Sequence, residues 1–149
     1  MANIGKWNAP SATVTVLSTE LNGLANNTMT VASSAIANQT NLDIYCDIEV
    51  NLNSLSPLAG AYVALYILEA VDGTNYPTPS AADLRLSATQ LLCTIPIGVA
   101  ATTGQRVVAR NVILPPGTFK IQLDNQTGVA LNATLNTVKL NAYDVNLNG

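Results

Sequence analysis

The sequence predicts an all-β chain, an antiparallel β-sandwich of jelly-roll-like form with about eight strands. Three observations carry this. Asn41 to Asn53 (NLDIYCDIEVNLN) alternates apolar and polar residues without a break, the period-two pattern of a strand with one wet face. Short alternating or β-branched runs recur along the whole chain, bounded by Gly, Pro, Asn and Asp. The length, 149 residues, suits one such domain.

Taken in order, residues 1–10 stand apart from residues 11–149. They lack alternation, contain Gly5 and Pro10, and hold the single tryptophan. They read as an N-terminal arm in which Ile4 and Trp7 are candidate contacts for a neighbouring molecule, an aromatic being a common interface anchor. A frayed terminus is the competing reading. Ala12 to Leu17 (ATVTVL) is the first strand, and Thr28 to Ala37 a weaker second. In Asn41 to Asn53, Leu42, Ile44, Cys46, Ile48, Val50 and Leu52 share one face; Asp43, Tyr45, Asp47, Glu49 and Asn51 share the other. A one-residue slip would bury three carboxylates, so the register is strongly specified.

Gly60 to Ala70 (GAYVALYILEA) is apolar on both faces, with Val63, Leu65 and Ile67 on one and Tyr62, Tyr66 and Leu68 on the other. A two-layered sandwich buries only one face of each strand. Tyr62, Tyr66 and Leu68 are therefore candidate contacts to a partner chain, unless a loop covers them. Asp72 to Ala82 is the longest loop, stiffened by two prolines, and Ser80 to Gln90 allows one helical turn at most. Leu91 to Val99 contains Pro96, which suits an edge or a bulge. Arg106 to Leu114 ends in the turn Pro115-Pro116-Gly117. Thr118 to Leu123 places Phe119, Ile121 and Leu123 on one face, and Asp124 to Gly128 reads as the turn that closes it. Thr134 to Val145 alternates again, with Val138, Leu140 and Ala142 on one face.

Composition narrows the function. Charged residues make up 10% of the chain and histidine is absent. Without histidine there is no Ser-His-Asp or Cys-His catalysis, no His-ligated metal and no histidine pH switch. The sequence therefore predicts no enzyme, no cofactor and no small-molecule substrate. Six scattered Lys and Arg residues against nine Asp and Glu leave a net charge of −3, the opposite of a clustered basic face for nucleic acid. The sequence contains 17 Asn and 16 Thr, a neutral polar surface that fits a protein covered by neighbours, with the compositional bias of extracellular proteins as the alternative. No export signal and no membrane span are expected, which places synthesis and assembly in a cytoplasm. Cys46 and Cys93 lie in strand-like runs and read as small buried hydrophobes, with a disulfide as the alternative.

The candidate chemistry is sparse. Asp43, Asp47 and Glu49 share a strand face and read as a solvated face guarding against edge pairing, in preference to an acid–base pair or a calcium site. The oxygen-rich Asp72-Gly73-Thr74-Asn75-Tyr76 lacks the spaced acidic residues of a calcium hand and reads as a hairpin turn continued into a loop. No phosphate-binding glycine pattern occurs. The sequons at Asn26, Asn38, Asn125 and Asn132 are no more than so many Asn, Ser and Thr residues give by chance.

Two segments carry a resemblance. Val112 to Leu131 (VILPPGTFKIQLDNQTGVAL) and Ala59 to Tyr76 (AGAYVALYILEAVDGTNY) together resemble the small head decoration, or cement, proteins of tailed bacteriophages. The resemblance implies a β-rich virion protein on the capsid exterior. Such a protein is often a homotrimer that clamps adjacent major capsid protein subunits, and its N-terminal arm is often a capsid contact. The family has no catalytic residues to carry over. A carbohydrate-binding β-sandwich of a tail fibre or cell surface is the alternative; it would need exposed aromatics near the Asp72 to Pro79 loop, where Tyr76 stands alone.

Overall fold

A computed structural model describes residues 6–77, 90–99 and 103–146, with the backbone alone for residues 6 and 146. Eleven strands are present among them. They are β1 (Lys6–Trp7), β2 (Val14–Leu17), β3 (Thr28–Met29), β4 (Ile36–Ala37), β5 (Tyr45–Leu52), β6 (Tyr62–Ala70), β7 (Leu91–Pro96), β8 (Gln105–Ile113), β9 (Thr118–Gln126), β10 (Thr137–Tyr143) and β11 (Val145–Asn146). One sheet has the order β2-β10-β5-β8. The other runs β3-β9-β6-β7, with β4 also paired to β9.

Every pairing is antiparallel, and the pairs nest: β2 with β10, β3 and β4 with β9, β5 with β8, β6 with β7. One long hairpin has been wound around a common axis, so that its successive pairs fall alternately into the two sheets. That is the jelly-roll topology. The predicted fold class is correct, and the weak second strand is divided into two-residue pieces.

Period two holds where it was clearest. In β5, Cys46, Ile48, Val50 and Leu52 are buried while Tyr45, Asp47, Glu49 and Asn51 are half-buried. The same alternation buries Val138, Leu140 and Ala142 in β10. Leu42 and Ile44 break the pattern. The strand begins only at Tyr45, Leu42 has φ 53°, and both side chains are exposed. Phe119, Ile121, Leu123, Val63 and Leu65 complete the core from the opposite sheet.

The apolar outer face of β6 closes within the chain, which corrects the expectation that it needs a partner. Leu68 is 2% exposed, and Ala64 and Ala70 are also buried. The loop after β6 returns over this face: Tyr76 lies 4.4 Å from the Nζ of Lys120, the β9 partner of Leu68. Tyr66 is half-buried, and only Tyr62 exceeds a third exposure, at 38%. Leu68 is thus buried within the chain on this outer face, apart from the core between the sheets. Residues 80–89, where a helical turn was expected, lie outside the described residues, as does Ile4.

The segment after residue 5 is no free arm. Trp7 pairs with Val145 in a short ladder, Asn8 N–H donates to Asp144 O (3.0 Å) and Ser11 N–H to Ala142 O (2.8 Å). Residues 6–10 therefore belong to the domain, and the boundary expected after Pro10 marks no break.

Cys46 and Cys93 are free thiols, the first fully buried. Burial raises Cys46 from 9.0 to about 12 and Cys93 to about 11. The folded state holds these protons more tightly than the unfolded chain does. The associated stability is complete below pH 9 and is lost as pH rises towards 12. For Cys46 alone the loss is on the order of 4 kcal/mol. Thermal unfolding between pH 8 and 12 should show a steep fall in midpoint above pH 9, and Cys46→Ala should flatten it; equal slopes would contradict the burial of that thiol.

Candidate functional site

The two ends of the roll differ. At one end, four connections join the strands; their described residues are 18–27, 53–61, 97–99 with 103–104, and 127–136. Together they contain a single charged residue, Glu20, whose carboxylate accepts the N–H of Ser18 (2.9 Å). Exposed on this end are Leu58 (59%), Val99 (59%) and Leu135 (73%), with Tyr62 at its margin. An uncharged end with several large apolar side chains is the composition of a contact surface, because charges are what interface centres lack.

This end is held rigid by buried asparagines. Asn125 continues the inward face of β9 after Leu123 and is fully buried. Its Nδ2 donates to Leu24 O (3.0 Å) and Val129 O (2.9 Å), and its Oδ1 accepts the N–H (3.1 Å) and Oγ1–H (2.7 Å) of Thr127. Asn136 donates to Asn132 O (2.7 Å) and Asn22 Oδ1 (3.2 Å) and accepts Asn53 N–H (3.0 Å). Three of the four loops are thus tied together by two side chains. Gly128 has φ 84°, and a Cβ there would stand 2.5 Å from Leu58 Cδ1; glycine is what lets Leu58 lie against the turn.

The outer face of the β2-β10-β5-β8 sheet is the second distinctive surface. Direct partners on adjacent strands form rows along it. Ile113, Tyr45 and Tyr143 make the first; Asp47 and Asn141 belong to the next; Val108, Glu49 and Lys139 to the third. Trp7 stands edge-to-face with both tyrosines, at 6.5 Å from Tyr45 and 5.3 Å from Tyr143, while the tyrosines stack at 6.1 Å. The backbone changes register at the second row: Cys46 pairs with Val112 but Ile48 with Ala109. Asp47 therefore faces two residues, Arg110 and Asn111, and both are exposed. Asn111 takes φ 56°. This is a β-bulge, a device that re-aims side chains beside sites.

The polar groups there are largely satisfied. The Tyr143 hydroxyl lies 3.0 Å from Asp47 Oδ1 and 2.8 Å from Asn111 Oδ1, with one proton to share, and Asn111 N–H donates to Asp47 Oδ1 (3.2 Å). Partial burial and then the Asp47 carboxylate hold the Tyr143 phenol above its ordinary 10.0. Arg106 pairs with Glu49, and Lys139 lies 4.0 Å from it. The carboxylates of β5 do lie on the outer face, but Asp47 and Glu49 are half-buried and engaged, and β5 sits between β10 and β8, so they do not guard an edge, contrary to expectation. Asp43 accepts Ser11 Oγ–H (2.9 Å). The Asp72 loop is a turn: its carboxylate accepts the N–H of Thr74 and of Asn75 and an Nδ2–H of Asn75, which lower it to about 2. Among the described residues no three His, Cys, Asp or Glu side chains converge as metal ligands.

The structure thus disperses the sequence-predicted contacts. Trp7 joins the sheet's outer face, Tyr62 the margin of the loop end, and Tyr66 and Leu68 the covered outer face of β6. Sequence reasoning missed the Trp7–Tyr45–Tyr143 cluster and the bulge, whose residues lie far apart in the chain.

No protein-family model and no curated protein matches this chain. Among solved structures, the mitogen from Yersinia pseudotuberculosis is similar at 12% identity, over 91% of this chain and 87% of that one, with TM-score 0.34. A structure of Desmodium yellow mottle tymovirus is similar at 13% identity, over 93% of this chain and 87% of that one, with TM-score 0.36. A family GH115 4-O-methyl-α-glucuronidase with specificity for decorated arabinogalactans is similar at 12% identity, over 98% of this chain and 18% of that one, with TM-score 0.36. At these scores the likenesses carry no functional argument.

Proposed function

We propose that this chain is a structural virion protein, a decoration or cement protein that sits on the outside of a phage head and joins adjacent major capsid protein subunits. The observation that carries the proposal is the loop end: uncharged but for Glu20, apolar at Leu58, Val99 and Leu135, and ordered in advance by buried Asn125 and Asn136. A surface ordered before contact loses little entropy on docking. A surface without charge meets a crowded lattice without like-charge repulsion. In this reading the protein acts as a homotrimer, assembles on heads in the host cytoplasm, and performs no catalysis. Three copies of a modest contact give durable attachment through avidity. The resemblance of the Val112 to Leu131 and Ala59 to Tyr76 segments to cement proteins supports the same reading.

The test is direct. The purified protein is sized in solution and mixed with expanded heads assembled without it. The proposal expects a mass three times the 15.5 kDa chain and saturable adsorption. A stable monomer that never adsorbs would overturn it.

A further inference from the structure

We infer that the outer face of the β2-β10-β5-β8 sheet holds a saccharide-binding site, built on Trp7 and the β8 bulge. The inference does not depend on the role of the loop end. Sugar recognition needs an aromatic surface for the apolar face of a pyranose and a few fixed polar groups for its hydroxyls. Trp7 is 64% exposed. Tyr45 and Tyr143 brace it, so it stands at a fixed angle at the rim of an open groove. That groove, about 360 Å³, is lined by Trp7, Tyr143, Asp47, Arg110, Asn111 and Asn141, among others. Its size falls within the range of small-ligand pockets, roughly 300–1,000 Å³.

The polar groups facing it retain capacity of the right kind. Arg110 makes no hydrogen bond or ion pair among the described residues, although it lines the groove beside the Asp47 carboxylate. Asp47 spends Oδ1 on Tyr143 and Asn111 and leaves Oδ2 as an acceptor. Asn141 is held through Nδ2 by Ser11 O (2.8 Å) and Thr13 Oγ1 (3.1 Å), which turns Oδ1 outward as a second acceptor. A guanidinium donor and two carbonyl-type acceptors beside an indole suit vicinal hydroxyls. The bulge sets Asn111 in the left-handed region, which asparagine adopts readily, and so fixes Arg110 and Asn111 together opposite Asp47. The groove continues past Asp47 and Arg110 towards Glu49, Arg106 and Lys139, which gives room for more than one sugar ring.

Trp7 is the chain's single tryptophan, so its fluorescence reports on this site alone. Cello-, malto-, chito- and galacto-oligosaccharides are titrated into the full chain up to about 10 mM, the weak end of specific binding. At least one should change the emission saturably. By calorimetry with that sugar, Trp7→Ala should abolish binding and Arg110→Ala should weaken it about tenfold, the worth of one hydrogen bond from a charged group. Arg110 has no hydrogen bond or ion pair to lose among the described residues and is exposed, so its variant should keep the unfolding midpoint of the parent and remains informative if Trp7→Ala is destabilised. Silence across the panel, or binding unchanged in Arg110→Ala, would overturn the inference.

Discussion

Asn125→Ala is expected to destabilise the fold by about 3–4 kcal/mol, a large fraction of the stability of a domain this size. The side chain is fully buried and makes four hydrogen bonds. Two of its partners keep an alternative: Leu24 O still accepts Leu131 N–H (2.9 Å), and the one Thr127 hydroxyl proton, released from Asn125 Oδ1, can turn to Val129 O (3.0 Å). Thr127 N–H does not, and an orphaned buried N–H costs about 1–3 kcal/mol before the cavity is counted. Asn125→Asp separates the polar contribution from packing. It keeps the volume but turns an oxygen toward two carbonyls, so the new carboxyl should resist ionisation. Its folded pKa is raised, so the variant should be most stable below the unfolded value near 4 and lose stability as pH rises. Chemical denaturation at pH 4 and pH 7 checks both. A variant less stable at pH 4 than at pH 7, relative to the parent, would contradict the clasp.

Leu58→Asp and Leu135→Asp should each reduce adsorption to expanded heads by about 100-fold, the effect of placing an unpaired charge at the centre of a desolvated contact. Both side chains are largely exposed in the free protein, so unfolding free energies should stay within about 0.5 kcal/mol of the parent. Val71→Asp supplies the control. Val71 is more exposed than either leucine but follows β6 at the opposite end of the roll, and adsorption should be unaffected there. Binding curves on purified heads distinguish the three. Equal loss in all of them would mean that added charge acts generally, and the loop end would have no special standing.

Much of this architecture is legible in the sequence because half-buried antiparallel strands write their register into period two. β5 and β10 are read correctly for that reason, as is the inward set Phe119, Ile121 and Leu123. Reading failed where a polar residue occupies a core position. Asp124 and Asn125 have turn chemistry, yet β9 runs on to Gln126 with Asn125 facing inward; only the carbonyls it satisfies, far away in sequence, reveal this. The abundance of asparagine was assigned to the surface, whereas Asn38, Asn125 and Asn136 are buried fasteners of loops. The bulge at Arg110 and Asn111 depends on counting residues against the partner strand, which no single segment displays. The outer face of β6 was misjudged because strand periodicity says nothing of a loop that folds back over it.

The most direct test of the contact assigned to the loop end is hydrogen exchange on the protein free and bound to expanded heads. New protection is predicted in 53–61 and 127–136, with 105–113 on the open sheet face exchanging as in the free protein. Protection confined to that sheet face, with the four loops unchanged, would contradict the account.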